Sequence, residues 1–170
     1  MSDGPFPSTI HALLKQSKFL HLATCSNDNP HVSLMNYTFI EPSDIQDKKF
    51  HHLILVSTPK ETTKFRNLLK NPKVSLLVHD WISSTKTEGV LNLLQSINQG
   101  ELGQLSATLD GHVEKILSDP QDEFYQFLLK LHLSKNPDVK AFIEDDAAFI
   151  LIKIVESKTS DSFNKVQSFK

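Results

Sequence analysis

The chain of 170 residues predicts an α+β fold built on an antiparallel sheet or barrel, and three observations carry that prediction. Strand-like segments mostly follow one another, whereas a doubly wound parallel sheet alternates strands with helices. No Gly-rich dinucleotide loop and no Walker loop is present. The apolar fraction of 39% and charged fraction of 22% are those of an ordinary globular chain, and this length suits one domain over residues 1–170.

The elements follow in order. Ser8 or Thr9 can cap a helix with Ile10, Leu13 and Leu14 on one face, ending near Ser17. Residues 19 to 25 alternate as a strand and run into Ser26-Asn-Asp-Asn-Pro30, a cluster of turn formers. His31 to Ile40 reads as a second strand, which pairs with the first as a hairpin. After a polar connector, Phe50 to Ser57 forms a third strand whose near-continuous apolar run predicts burial on both faces. Thr58 can cap a helix with Pro59 at its first position and Glu61 completing a capping box. Phe65, Leu68 and Leu69 continue that helix, and Asn71-Pro72 stops it.

Lys73 to His79 is the fourth strand, and a fifth runs from near Leu105 through Gly111 to Ile116. Asp119 or Pro120 opens a helix bearing Phe124, Phe127, Leu128 and Leu131. A shorter helical piece around Pro137 to Ile143 precedes the sixth strand, Ala147 to Val155. The tail, residues 156–170, is polar and reads as partly mobile. Residues 82–104 are too long for an ordinary connection and contain Gly89, Gly100 and Gly103, so they read as a surface insertion, either a lid or a tolerated excursion.

Composition excludes several function classes. A formal net charge of −2 removes the electrostatic motive for nucleic-acid binding. Arg66 is the sole arginine, so one chain cannot build several guanidinium clamps. Cys25 is the sole cysteine, which excludes an intrachain disulfide and a thiolate metal cage. No basic leader and no apolar run of membrane-spanning length is seen, so the expected location is cytoplasmic, with the nucleus also open, and no membrane partner is expected.

Eight histidines stand at 11, 21, 31, 51, 52, 79, 112 and 132, and none forms a helical i,i+4 pair. His51 and His52 would point to opposite faces of a strand. A metal centre would need convergence from distant segments, and no metal site is assigned. No Gly-x-Ser-x-Gly turn supports a serine triad. The stronger candidate is the run Ser57 to Lys64, where a buried strand ends and a helix begins with free backbone N–H groups. Such an N-terminus can receive a phosphate, with Thr62 and Thr63 as donors and Lys64 as a full charge. Equally, Glu61 can occupy the same N–H groups as a plain capping box and repel an anion.

Several stretches together resemble the pyridoxamine 5′-phosphate oxidase-like family of FMN-binding split barrels. They are Leu22-Ala-Thr-Cys25, Asn29-Pro-His-Val-Ser-Leu-Met-Asn-Tyr37, Val56-Ser-Thr58 with Thr62-Thr-Lys64, Asn71-Pro-Lys-Val-Ser-Leu-Leu77, and Ala107-Thr-Leu-Asp-Gly-His-Val-Glu114. Their order and spacing hold over about residues 8 to 155, and the chain is most similar to the small fungal members of the family. The resemblance implies a homodimer of six-stranded split barrels with flanking helices and one FMN in each of two clefts between subunits. It places His31, Val32, Ser33 and Leu34 beside the flavin ring, mainly through backbone, and Ser57 and Thr58 against the cofactor. Thr62, Thr63 and Lys64 match the family's Ser-Arg-Lys for the FMN phosphate. Thr63 departs from that pattern and removes one charge partner. Ser106 falls near a flavin-contacting glutamine, with Gln104 as the neighbouring candidate.

Other departures bear on activity. The oxidase itself resembles this chain in its core but has further arginines and a C-terminal Arg-x-His element, while this chain has no arginine after Arg66. Met35 or Asn36 replaces a substrate-binding lysine. Authentic oxidation of pyridoxamine phosphate is therefore not expected. The expected function is an FMN-dependent oxidoreductase of unknown small substrate. The alternative is a non-catalytic flavin- or ligand-binding dimer, with haem as a more remote ligand.

Overall fold

Ile10, Leu13 and Leu14 recur at helical spacing and are all buried in the first helix, α1 (Ser8–Gln16). Pro7 stands at its N-cap with no side-chain hydrogen bond, so neither Ser8 nor Thr9 plays the expected capping part. The computed structural model describes residues 6–45, 52–80, 105–143, 147–161 and 165–170. The expected insertion at 82–104 lies outside the described residues, as do Gln104 and His51.

A hairpin follows α1, made of β1 (Phe19–Ser26) and β2 (Asn29–Asn36) in antiparallel register from Ser26–Asn29 to Phe19–Asn36. Asn27 and Asp28 form its two-residue turn, both at positive φ (50° and 59°), the conformation that Asn and Asp tolerate best after Gly. The expected single strand from His31 to Ile40 is broken at Tyr37. Its second part, β3 (Thr38–Ile40), pairs instead with β4 (Leu53–Thr58). The break is held by side chains: the Tyr37 hydroxyl donates to Leu14 O (2.8 Å), and Asn136 donates to Tyr37 O (3.2 Å).

Helix α2 (Thr63–Lys70) leads to β5 (Lys73–His79), and β6 (Ser106–Leu117) precedes α3 (Glu123–Lys135). A 3-10 segment, Pro137–Phe142, then reaches β7 (Ala148–Ser160) and β8 (Val166–Phe169). All described pairings are antiparallel, in the order β2-β1-β5-β6-β7-β4-β3, with β8 on β7. The two ends of this path are consecutive pieces of one chain segment joined at Tyr37, and β2 lies against β4, so the sheet curls into a split-barrel form.

The expected count of six strands becomes eight among the described residues, because 31–40 divides and the tail contributes β8. The tail is also not merely polar and loose. Strand β7 continues to Ser160, with Ser157 and Thr159 turned inward and Lys158 outward. Their period of two carries the strand onward, with small hydroxyl side chains filling the inward positions.

The core has two parts. Inside the curl, α1 and the inward residues of the sheet, including Leu20, Leu22, Ile54, Val56, Leu76, Leu109 and Ile152, pack together. On the other face of β4 and β7, Leu53, Leu55, Phe149 and Leu151 meet Tyr125 and Leu128 of α3. Strand β4 is thus buried on both faces, as its apolar run predicts. Helix α3 is capped by Asp122, which accepts from Phe124 N and Tyr125 N, and it buries Tyr125, Leu128 and His132. Phe127 is instead 39% exposed, so the buried face is turned from the one expected. At Gly111 the ladder between β6 and β7 shifts register, and a Cβ there would meet Lys153 O at 2.6 Å, an approach that only glycine permits.

Candidate functional site

The end of β4 and the start of α2 build the site. The chain leaves β4 at Thr58 and turns through Pro59–Glu61 before the helix begins at Thr63. Thr62, rather than Thr58, is the cap. Its hydroxyl accepts from Phe65 N (3.3 Å), donates to Pro59 O (2.9 Å) and lies 3.0 Å from the Thr58 hydroxyl. Glu61 therefore sits outside the helix and forms no capping box with Thr58, so the competing reading of this segment fails. The first intrahelical bond runs from Arg66 N to Thr62 O (3.1 Å), which leaves the amides of Thr63 and Lys64 without an intrahelical acceptor.

Charge follows the same arrangement. Lys64 is half-buried, and burial lowers its ammonium pKa with no counter-ion offsetting the effect among the described residues. Lys60, four positions earlier, instead donates to Ser118 O (3.1 Å). Sequence reasoning left the position of Thr63 without a basic partner, and the structure supplies one. The Arg66 guanidinium donates to the Thr63 hydroxyl (3.3 Å) and to Glu61 O (3.4 Å), beside the first turn of α2. The signal was available: residues three apart on a helix are neighbours, and Arg66 is three beyond Thr63. Below the turn, Asn67 donates to Thr24 Oγ1 (3.1 Å) and Asn71 to Cys25 O (3.0 Å), which tie α2 to β1.

Strand β2, which carries His31, Val32, Ser33 and Leu34, lies against both β4, which carries Ser57 and Thr58, and α2, which follows Thr62 and begins with Thr63 and Lys64. Among the described strands β2 pairs with β1 alone, and the outer edge of its backbone keeps N–H and C=O groups available. Val32 and Leu34 are 61% and 57% exposed, whereas Ser33 and His31 approach each other at 3.1 Å. Ser106 is not brought to this cluster within one chain. It opens the 12-residue β6 beside His79 and Ser160, while Ser57 is tied through Phe149 to Leu117 at the other end, roughly 35 Å along the strand.

A cavity of about 700 Å³ lies elsewhere, where the chain crosses from β2 to β3. Lys15, Phe19, Asn36, Tyr37, Glu41 and Lys135 are among its walls. Its cations are already paired, Lys15 with Glu41 (3.0 Å) and Lys135 with Asp44. Met35, one of the two residues standing for the substrate lysine, is buried at 8% exposure and points into the core, whereas Asn36 reaches this cavity. Among the described residues no helix is long and apolar enough to cross a membrane.

A family model described as pyridoxamine 5′-phosphate oxidase matches residues 6–159. A pyridoxamine 5′-phosphate oxidase homologue of Saccharomyces cerevisiae is 37% identical, over 94% of this chain and 92% of its own length. Among solved structures, an FAD-binding protein from Mesorhizobium loti superposes with a TM-score of 0.60 at 14% identity, over 91% of this chain and 94% of that one. A haem-binding protein from Mycobacterium smegmatis gives 0.63 at 15% identity, over 97% of this chain and 59% of that one. The two structural likenesses establish the fold, and the sequence matches establish descent: the chain belongs to the pyridoxamine 5′-phosphate oxidase family.

Proposed function

We propose that the chain binds FMN at the junction of β2, β4 and α2 and acts as a homodimeric flavin-dependent oxidoreductase on a small substrate other than pyridoxamine phosphate. The observation that carries the reading is Lys64: a half-buried cation without a counter-ion among the described residues, beside two helix-start amides that have no intrahelical acceptor. A phosphate fits that combination, because the amides, the Thr63 hydroxyl and the ammonium all donate and no carboxylate of the turn occupies the place. The residues present therefore suit the phosphate end of FMN. The outer backbone edge of β2 suits the polar rim of a flat ring, with Val32 and Leu34 offering apolar surface nearby.

When bound, the flavin supplies the electron transfer. The protein's part is to hold the phosphate at Thr63 and Lys64, to fix the ring along His31–Leu34, and to shape what approaches it. Two features support dimerisation. Phe19, Leu34 and Leu77 lie on one outward sheet face, exposed by 42%, 57% and 38%, and Leu34 and Leu77 flank His21 in register. Ser106, at the opposite end of β6 from Leu117, would join a site at α2 from a second copy. The distinction from the authentic oxidase rests on Met35 or Asn36 in place of a lysine, the first buried and the second neutral, and on the absence of arginine after Arg66.

The test is an FMN titration of the purified chain, followed by light scattering. Saturation at one FMN per chain in a particle of about twice 19.2 kDa is expected. Lys64→Ala should weaken binding by about 30-fold, corresponding to roughly 2 kcal/mol, while Lys60→Ala leaves it within about twofold. Equal losses in the two variants would overturn the phosphate assignment. With FMN bound, reduction by NAD(P)H followed by reoxidation with an added acceptor supports the oxidoreductase reading. Tight binding without turnover favours the ligand-binding dimer instead.

A further inference from the structure

Three side chains from three separate segments converge where β3 ends and β4 begins. His11 comes from α1, Glu41 directly follows β3, and His52 directly precedes β4. One ligand atom of each lies within 4.8 Å of the other two, and all three residues are partly accessible. The register explains the meeting. Ile40 pairs with Leu53, so one further step along each strand sets Glu41 opposite His52 on one face. His11 then reaches down from the helix packed over that face, with its Nε2 at 2.9 Å from Glu41 Oε1.

The surroundings hold these groups in place. The His52 ring stacks on Phe39 at 5.4 Å and 9°, and it also touches Phe6 at 5.0 Å. His11 meets Phe39 edge-on at 5.2 Å and His52 edge-on at 5.7 Å. Phe6 and Phe39 are buried, so one side of the cluster is dry. Lys15, one helical turn beyond His11, takes the other carboxylate oxygen of Glu41 at 3.0 Å, which leaves Oε1 turned toward the histidines.

We infer that His11, Glu41 and His52 form a binding site for a divalent first-row transition ion, with Zn²⁺ as the expected occupant. Two imidazoles and one carboxylate suit Zn²⁺ and its neighbours in the series, and disfavour Mg²⁺ and Ca²⁺, which prefer oxygen alone. A tetrahedral ion held at about 2.0–2.1 Å needs donor atoms about 3.4 Å apart, so side-chain adjustments suffice to close the site. Three protein ligands leave a fourth position for water or an exogenous donor. The ion ties α1 to the β3–β4 pair, and it does so through groups distinct from those at Ser57–Lys64, so it stands independently of the flavin reading.

The test uses the full chain after chelator treatment, titrated with Zn²⁺ by calorimetry and with Co²⁺ by visible absorption. One saturable Zn²⁺ site per chain is expected, with a Co²⁺ spectrum of nitrogen–oxygen coordination and a rise in Tm on loading. His52→Gln should abolish saturable binding and the Tm rise while leaving the circular dichroism and FMN affinity unchanged. Glu41→Gln should weaken binding without abolishing the fold. Zinc binding that survives in the doubly substituted H11Q/H52Q chain would overturn the assignment. So would binding lost instead in His21→Gln, which alters the His21–His79 stack at 5.6 Å on the outward sheet face. Absence of saturable Zn²⁺ binding by the intact chain would also overturn it.

Discussion

Two of the places where polar side chains gather on this barrel use them in opposite ways. Where β2 passes into β3, Tyr37, Thr38, His132 and Asn136 are knotted together. Asn136 donates to Tyr37 O (3.2 Å), Thr38 Oγ1 (2.8 Å) and His132 O (3.2 Å), and Thr38 Oγ1 lies 2.8 Å from His132 Nδ1. At the start of α2, two amides have no intrahelical acceptor and a half-buried ammonium has no counter-ion among the described residues. The first place spends its hydrogen-bonding capacity inside the fold, and the second leaves part of its own unspent. Density of polar residues does not separate a structural knot from a ligand cradle, but the fate of the donors does.

The largest effect should come from cutting the knot. Asn136→Ala removes a donor from three acceptors at once and also the C-cap of α3, so a loss of about 4 kcal/mol is expected in urea denaturation. FMN affinity measured well below the denaturation midpoint should not change. A coupled loss of both would erase the distinction between the two places.

Acid should weaken the knot next. His132 is fully buried, and burial lowers its pKa from 6.5 to about 4. Above pH 6.5 the imidazole is neutral in both the folded and unfolded chain and contributes no pH dependence. Between pH 6.5 and 4 the unfolded chain takes up a proton that the folded chain refuses, so stability falls by up to roughly 3 kcal/mol, then levels off. Thr38 Oγ1 accepts from Asn136 and lies 2.8 Å from His132 Nδ1, while Nε2 is buried without a partner among the described residues. His132→Leu should flatten the slope over this pH range whatever it does to stability at pH 7. An unchanged slope would show that another group is titrating.

The two places also differ in how far the sequence disclosed them. Period-two strands, the turn formers over 26–30 and the stop at Asn71-Pro72 are local signals, and they read correctly because their physics is local. The cluster from Ser57 to Lys64 is contiguous in sequence, and the start of its helix was misplaced, with the cap moving from Thr58 to Thr62 and the first helical residue from Pro59 to Thr63. The knot was invisible. Thr38 and Asn136 are 98 positions apart, and nothing in either neighbourhood marks the other. Tyr37 breaks a strand that its own β-favouring sequence continues, because partners on α1 and α3 capture its polar groups. The His11–Glu41–His52 meeting was hidden for a similar reason: a helix over a hairpin produces it, with no motif spacing. Ser106 shows the converse, since its place in a linear match does not put it near the other candidates in one chain.

The cradle itself gives the smaller effects. Lys64→Ala, with its expected 30-fold loss of FMN affinity, should leave stability unchanged or slightly raised, because it removes a half-buried cation that lacks a counter-ion among the described residues. That sign would sharpen the contrast with Asn136, whose removal can only cost stability.

Arg66 tests the cradle most finely. Its guanidinium is exposed and already engages the Thr63 hydroxyl and Glu61 O, so a phosphate at Thr63 would meet a donor held by contacts of 3.3 and 3.4 Å. An exposed, solvent-screened charge contributes little, and Arg66→Ala should weaken FMN binding by about threefold, near 0.7 kcal/mol. The salt dependence of binding separates the roles. If Arg66 faces the phosphate, its contribution should vanish as ionic strength rises, whereas most of the Lys64 contribution, made at shorter range and half out of water, should persist. Lysine at position 66 should restore the low-salt affinity only in part, since it keeps the charge but loses the planar fork that holds Thr63 and Glu61 O together. An Arg66→Ala chain with unchanged affinity at low salt would mean that this arginine only braces the turn, and that the phosphate rests on Lys64 and the helix-start amides alone.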